Sequence, residues 1–344
     1  MTIGLTQVSE PVAIVRSNVW PTALGLAVAF VFGVLVLRHL PETPRQGLLA
    51  VDTLSERTEV LLLGSSHVYT DVDPRRVGRP WVNLAGGMLS YELAESVLAA
   101  HADRLPHLRA IPLEADPVMV TVDSLATYHG DHRPFLDLKP DLSVLQVDSG
   151  TRLGLWRDRV LGYDLPIRRV FQREKLDADR LRALLAGERH DGVLPGFEAH
   201  EGTSSEGLRG DERIRMHERA SPSAAASKTR NLAALTRMLQ HAQKLGVPVI
   251  LVRLPHHGSY AAARPPAFAA AFDELLRTAR AAMPSSESLV LLDFEQQPGF
   301  GDGEFYDADH LNVAGSARFS ALLAQEVDAV LAGRHLATRA RALP

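Results

Sequence analysis

The chain contains no cysteine. That excludes disulfides, thiol nucleophiles and thiolate metal sites, although it leaves the compartment open. It also lacks an excess of either charge: 37 Lys and Arg stand against 41 Asp and Glu, a formal net charge of −4. Nothing electrostatic therefore points to nucleic acid, and no such partner is expected. No internal repeat or coiled-coil heptad is visible. Lysine is scarce beside arginine, which reads as genome composition. What remains is 344 residues with 46% hydrophobic content, enough for one large α/β domain or two small ones.

One long apolar run is present. Residues 20–37, WPTALGLAVAFVFGVLVL, carry no charge over about the length that crosses a hydrocarbon core as a helix. Trp20 sits at one end, and Arg38 and His39 close the other. A cleaved signal peptide has a shorter apolar region followed by a small-x-small site, whereas RHLPETPRQ comes next here. The expectation is an uncleaved membrane anchor. The flanking charges, Arg16 before and Arg38 and Arg45 after, taken alone favour a cytoplasmic C-terminal side.

Beyond the anchor, strand and helix signals alternate. EVLLL (59–63), WVNL (81–84) and PVMVTV (117–122) read as three strands, with an amphipathic helix over 89–101. Residues 129–226 lose the strand signal. Helices are expected at 150–162 and 176–187, and 196–226 reads as a long loop. The pattern then resumes with a helix over 227–245, a strand in VPVILVRLP (247–255), a helix over 266–283, a strand in LVLLDF (289–294) and a last helix over 313–333. This alternation predicts a mostly parallel sheet covered on both faces, with its crevice at the carboxyl ends of the strands. The expected organisation is a tail (1–19), an anchor (20–37), a linker (38–58), an α/β domain (59–335) with an insertion or lid at 129–226, and a C-terminal tail (336–344).

The first strand runs straight into Gly64-Ser65-Ser66-His67. Serine is a weak nucleophile at its own pKa. It needs a base in hydrogen-bond reach, and that base needs an orienting group. FYDADHLNVAG (305–315) offers both: Asp307 and His310 lie three apart, just before the last helix. Each piece alone has a plain structural reading, the serines as a helix N-cap and the Asp-His pair as capping groups. Together, in this order and at opposite ends of an α/β chain, they are far more specific. Whether Ser65 or Ser66 attacks is open, Ser66 being the choice by position. His67 either lines an acceptor site or packs as a neutral side chain. His256 and His257, at a strand end, are expected at the crevice rim. Tyr69 and Tyr260 are expected as wall residues. A metal drawn from His256, His257, Asp307 and Asp309 matches no recognised ligand spacing, so neither metal nor cofactor is expected.

Gly64-Ser65-Ser66 near the start and Asp307-Ala308-Asp309-His310-Leu311-Asn312 near the end resemble the SGNH/GDSL hydrolase superfamily. The Asp usual in its first block is Ser65 here. Gly-Ser-Ser resembles the membrane-anchored branch that includes D-alanyl-lipoteichoic acid and alginate O-acetylation proteins. The resemblance covers roughly 59–125 and 227–333. It implies a three-layer α/β sandwich with Ser66 as nucleophile, His310 as base and Asp307 as orienting group. VNLAGGMLSYE (82–92) fits the block whose glycine supplies an oxyanion N–H, with Gly87 the choice and Gly86 the alternative, and the Ser66 N–H as second donor. The third block departs from the family: PVMVTVDSLATY has no asparagine, and Asp123 or Ser124 stand in its place.

Three functions are expected. The first is an anchored serine acyltransferase. Ser66 takes an acyl group, acetyl by preference, and passes it to a hydroxyl of a polysaccharide or glycolipid. The resemblance implies a multipass membrane O-acyltransferase as partner and a catalytic domain outside the cytoplasm, against the flanking charges. The second is an esterase or deacetylase using the same residues with water as acceptor. The third is a non-catalytic subunit that binds polysaccharide or organises an envelope assembly.

Overall fold

The computed structural model describes residues 46–127, 132–160, 197–205, 207–221, 224–283, 288–333 and 340–341, with Leu24, Gly25 and Val28. The anchor expected over 20–37 and the helix expected over 176–187 therefore lie almost wholly or wholly outside the described residues. Among those residues, no helix is long and apolar enough to cross a membrane.

The chain is α/β. After α1 (Gln46–Thr53), strand β1 (Val60–Leu62) leads into α2 (Ser66–Asp71); β2 (Trp81–Asn83) leads to α3 (Tyr91–His101), and β3 (Ile111–Glu114) to α4 (Pro117–Thr121). Helices α5 (Ser149–Arg159) and α6 (Gly210–Arg219) belong to the expected insertion. Then come α7 (Ala224–Leu245), β4 (Val249–Arg253), α8 (Gly258–Ala263), α9 (Pro266–Ala282), β5 (Leu289–Asp293), α10 (Val313–Leu331) and a short antiparallel β6 (Ala340–Arg341).

Strand β1 pairs in parallel with β2, and β3 with β4 and β4 with β5. Parallel bridges Val60–Ala110 and Leu63–Leu113 join β1 to β3, so the order across the sheet is β2-β1-β3-β4-β5. Successive residues of each strand face opposite clusters. Leu61, Leu63, Val249, Leu251, Leu289 and Leu291 pack under α3, α7 and α9. Val60, Leu62, Ile250, Val252, Val290 and Leu292 pack against α2 and α10. Both faces are covered, which is why these strands read as unbroken apolar runs instead of alternating ones. The chain leaves β1 toward one side of the sheet and returns at β3 on the other. The gap between their carboxyl ends is a topological switch point, where open α/β sheets hold ligands.

The third strand departs from expectation. PVMVTV is β-branched, yet 117–121 is helix α4, and the strand is the preceding IPLE. Asp116 caps the helix by accepting from the Val118 N–H at 2.8 Å, and Pro117 occupies its first turn, where no N–H is needed. Pro112 hides the true strand, because proline argues against a central position. It is tolerated since its carbonyl is the group in use, accepting from the Leu63 N–H at 3.0 Å. The loop expected over 196–226 also needs correction, because it contains α6.

Candidate active site

The turn after β1 is set by close approach. A Cβ on Gly64 would lie 2.5 Å from Val68 Cγ2 and 2.6 Å from Glu114 Oε2, so only glycine lets β3 come this near. Glu114 then organises the start of α2. It accepts from the Ser65 N–H at 2.5 Å, from the Ser65 hydroxyl at 2.9 Å and from His67 Nδ1 at 2.8 Å. Ser65 also caps α2, its Oγ accepting from the His67 N–H at 3.4 Å. Ser65 is thus turned to the interior and fully engaged. Ser66, the first residue of α2, points the other way.

Ser66 Oγ lies 2.9 Å from His310 Nε2. His310 Nδ1 lies 3.1 Å from each carboxylate oxygen of Asp307. The loop carrying this pair is closed by an antiparallel bridge between Phe305 and Leu311. Within it, Asp307 Oδ1 accepts from the Asp309 N–H at 3.1 Å and the His310 N–H at 2.8 Å, fixing the carboxylate under its own histidine. Asp71 of α2 holds the loop from beyond, accepting from the Leu311 N–H at 2.9 Å. A hydroxyl, an imidazole and a carboxylate in this series can pass a proton from Ser66 to His310 while Asp307 steadies the ring.

His67 is a strut between the two halves of the site. Nδ1 meets Glu114, and Nε2 meets Asp309 Oδ2 at 3.1 Å. Burial opposes its charge, but the hydrogen bonds to Asp309 and Glu114 outweigh burial and hold its pKa well above the ordinary value. Both nitrogens are then donors, and His67 is an imidazolium locked between two carboxylates. Burial likewise works against charge on His310, and the carboxylates of Asp309 and Asp307 overcome it, raising its pKa to about 9. Asp309 shows the reverse. Burial disfavours its charge, while His310, His217 and His67 pull its pKa well below the usual range. Asp71 is pushed up by burial to about 7, with His310 and His67 restraining the rise.

Residues absent from the sequence-based site complete one wall. Arg213 and His217, one turn apart on α6, share a face. The Arg213 Nε–H donates to Asp309 Oδ1, Nη1 lies 3.4 Å from Asp307 Oδ2, and Nη2 lies 2.8 Å from His310 Nδ1. His217 Nε2 meets Asp309 Oδ2 at 3.2 Å, and its Nδ1 meets the Tyr260 hydroxyl at 3.0 Å. Segment 197–205 runs along the same loop. His200 stacks on Tyr306 with ring centroids 4.1 Å apart, and its carbonyl accepts from the Val313 N–H at 2.8 Å.

Other expected site residues sit elsewhere. His256 is 6% exposed and lies behind the site, not at its rim, packed on Tyr260 at 4.8 Å and against His67 at 5.3 Å. Burial holds its pKa well below the ordinary value, and its nearest carboxylate is Asp116 at 3.5 Å. His257 caps α8, accepting from the Ser259 N–H at 3.2 Å, and reaches Asp302 at 3.1 Å. Asn312 caps α10 by accepting from the Ala314 and Gly315 N–H groups, so it is a helix start and not a lining residue. Asp123 pairs with Arg230 of α7 at 3.2 Å, and Ser124 is buried beside it in sequence. Both come after a helix and not a strand, because the third strand ends at Glu114. Gly86 donates its N–H to Gly64 O at 3.2 Å, which commits it and draws the loop containing Gly87 against the 64–66 turn. Two groups, His67-Asp309-His310 and His67-Asp116-His256, bring ligating atoms within 4.8 Å of one another. His67 is common to both and already meets a carboxylate through each nitrogen, so a metal there displaces a hydrogen bond. Comparisons of the chain with protein-family models, curated proteins and solved structures return no match.

Proposed function

We propose that this chain is a serine acyl-transfer enzyme working through an acyl-Ser66 intermediate, with His310 as general base and acid and Asp307 as its orienting carboxylate. The observation that carries this reading is the contact of Ser66 Oγ with His310 Nε2 at 2.9 Å, backed by Asp307 at 3.1 Å on the other nitrogen. In the first half-reaction Ser66 Oγ attacks the acyl carbonyl as its proton passes to Nε2. The oxyanion forms against the Ser66 N–H, in the first turn of α2, and the Gly87 N–H. Collapse expels the donor's oxygen, which takes the proton back from His310. In the second half-reaction His310 takes the proton of an acceptor hydroxyl, whose oxygen attacks the acyl carbonyl, and collapse breaks the Ser66 ester bond as His310 returns that proton to Ser66 Oγ. Removal of a single oxyanion donor costs roughly 3–4 kcal/mol in other enzymes.

The order of chemistry along the chain and the β2-β1-β3-β4-β5 sheet are consistent with an SGNH-type sandwich. By that resemblance the enzyme is held by an anchor at 20–37 with its catalytic domain outside the cytoplasm. It takes its acyl group, acetyl by preference, by way of a multipass O-acyltransferase and esterifies a polysaccharide or glycolipid hydroxyl. A carbohydrate esterase is the second reading. Arg213 and His217 favour transfer over hydrolysis, since α6 closes one side of the triad and helps exclude water.

The test uses the full chain in detergent, a chromogenic acetyl ester and intact-mass detection. Wild type gains one acetyl group on Ser66, and Ser66→Ala and His310→Ala gain none. Discharge that accelerates with an oligosaccharide acceptor, giving acetylated sugar, supports transfer. Discharge to water alone supports the esterase. An unlabelled wild type, in detergent and in native membranes alike, overturns the acyl-enzyme and leaves the non-catalytic reading.

A further inference from the structure

His310 Nδ1 faces two incompatible partners. Asp307 at 3.1 Å can only accept, so it wants a proton on Nδ1. The Arg213 guanidinium at 2.8 Å can only donate, so it wants that nitrogen bare. The choice decides what Nε2 presents to Ser66. With the proton on Nδ1 and none on Nε2, His310 accepts the Ser66 hydroxyl proton. With Nδ1 bare, the proton of the neutral ring sits on Nε2, and His310 is no base for serine.

We propose that Asp309 and Arg213 are positioning residues of opposed charge which together set the proton on His310 Nδ1, Asp309 holding it there and Arg213 driving it off. The inference rests on the reading of His310 as the base of the proposed reaction. Its geometric ground is the hub at Asp309. This buried carboxylate lies 3.3 Å from His310 Nδ1, accepts from Arg213, and meets His67 at 3.1 Å and His217 at 3.2 Å. Every element packed on His310 contributes a charged or titratable group. Asp307 and Asp309 come from its own loop, His67 and Asp71 from α2, His200 from segment 197–205, and Arg213 from α6. The raised pKa of His310, with Asp309 the foremost of the groups that raise it, is what a dominant carboxylate side produces.

The arrangement also gives the insertion a chemical task. Helix α6 docks by Gly210, Ile214 and His217, with Ile214 buried in a cluster with Val118, Val122, Tyr260 and Phe268. Gly210 packs where a Cβ would overlap the Ser259 and Tyr260 backbone of α8, and α6 delivers Arg213 to the triad. How closely α6 sits sets how far Arg213 offsets the carboxylates, so the insertion tunes the base without touching Ser66.

The experiment is a histidine side-chain 15N NMR titration of the full chain in detergent, with the His310 signal assigned from its loss in His310→Gln. Wild type is expected to titrate near pH 9 with Nδ1 protonated in the neutral form. Asp309→Asn should weaken proton binding at His310 by about tenfold, and Arg213→Gln should strengthen it by a similar factor. Arg213→Lys keeps the charge and should return the titration toward wild type, though its point charge cannot reproduce the fork. A purely structural role for either residue cannot give shifts of opposite sign. If Asp309→Asn does not fold, the Arg213 variants decide, and Arg213→Lys, which keeps a cation beside the buried Asp309, guards against a folding failure of Arg213→Gln. Shifts of the same sign, or a His310 titration unmoved by Arg213→Gln, overturn the proposal. The readout needs no turnover. Opposed shifts in a protein that Ser66 never acylates leave the charge pair standing and sink the enzyme reading. Normal acylation with unmoved titrations does the converse.

Discussion

Two walls enclose His310, and they are held by different physics. One comes from the α/β core: the β1–α2 turn and the loop before α10, fastened to strands whose side chains are buried on both faces of the sheet. The other is α6, which buries only Gly210, Ile214 and His217 and reaches the site through an arginine and a histidine. The first wall is positioned by apolar packing throughout, the second by a single apolar anchor, Ile214, together with charge. A nucleophile and its base need sub-ångström constancy, which the core supplies. A group that tunes the proton on the base is effective from a less deeply seated element, because Coulomb energy falls off gradually with distance while a hydrogen bond does not.

Substitutions at the two walls should separate these roles. Ser66→Ala and His310→Ala, both on the core wall, should each lower ester turnover by roughly 10⁴–10⁶-fold, and Asp307→Asn by roughly 10⁴-fold, by analogy with other triads. Turnover that survives Ser66→Ala breaks the assignment of the core wall as the reactive one. Leu251→Ala, in strand β4 under the helices and away from the chemistry, should cost about 2–5 kcal/mol in denaturant unfolding. It should leave turnover per folded molecule unchanged. Gly210→Ala at the root of α6 should weigh more on activity. Its Cβ meets the α8 backbone, so α6 shifts, turnover per folded molecule falls by about tenfold through misplaced Arg213, and the overpacking costs about 1–3 kcal/mol, less than the cavity of Leu251→Ala. If Gly210→Ala unfolds the domain as Leu251→Ala does, the two walls are one cooperative unit and the contrast fails.

Acidity gives a finer test. With His310 raised to about 9, kcat/KM of the free enzyme should climb through neutral pH, reach half its maximum near 9 and level off above that, because only the deprotonated ring accepts the Ser66 proton. The same shift has a stability consequence of fixed sign. A histidine raised from 6.5 contributes stability fully present below pH 6.5 and lost as pH rises through 9. Asp71, raised from 3.8 to about 7, acts in the same direction over its own lower window. Thermal unfolding should therefore show Tm falling between about pH 6.5 and 9.5, with a shallower fall in His310→Gln. The smallest effect is expected at Asn312→Ala, which removes the N-cap of α10 at about 1 kcal/mol in unfolding.

The same division explains what can be read from the chain alone. Strands β1, β2, β4 and β5 are legible because residues buried on both faces make continuous apolar runs. Ser66, Asp307 and His310 stand out only jointly, because a serine turn near the start and an Asp-x-x-His near the end of an α/β chain are more specific together than either piece alone. The third strand is obscured by VMVTV, whose β-branched residues outweigh the Asp116-Pro117 helix start, and Glu114 is hidden with it. A lone glutamate inside the apolar IPLE strand is the available signal. Arg213 and His217 are illegible for a deeper reason. GDERIRMHER holds only Ile214 and Met216 as large apolar residues, too few to mark a core-facing helix although Ile214 sits on the buried face, and Arg213 and His217 are distinguished only by the carboxylates they meet. His256, His257 and Asn312 are drawn to the site by their sequence neighbourhood, whereas packing and capping take them elsewhere.

Ser66 and His310 meet across a separation of 244 positions in the chain, and His67 and Asp309 across 242. Contacts this distant in sequence are the last a growing polypeptide can make. During synthesis the β1–α2 turn emerges early, with Ser66 on it, and stays without its base until nearly the whole domain has been made. On the proposed reading, a ribosome-bound intermediate carries Ser66 without its base, and the pair forms only once the loop after β5 has emerged.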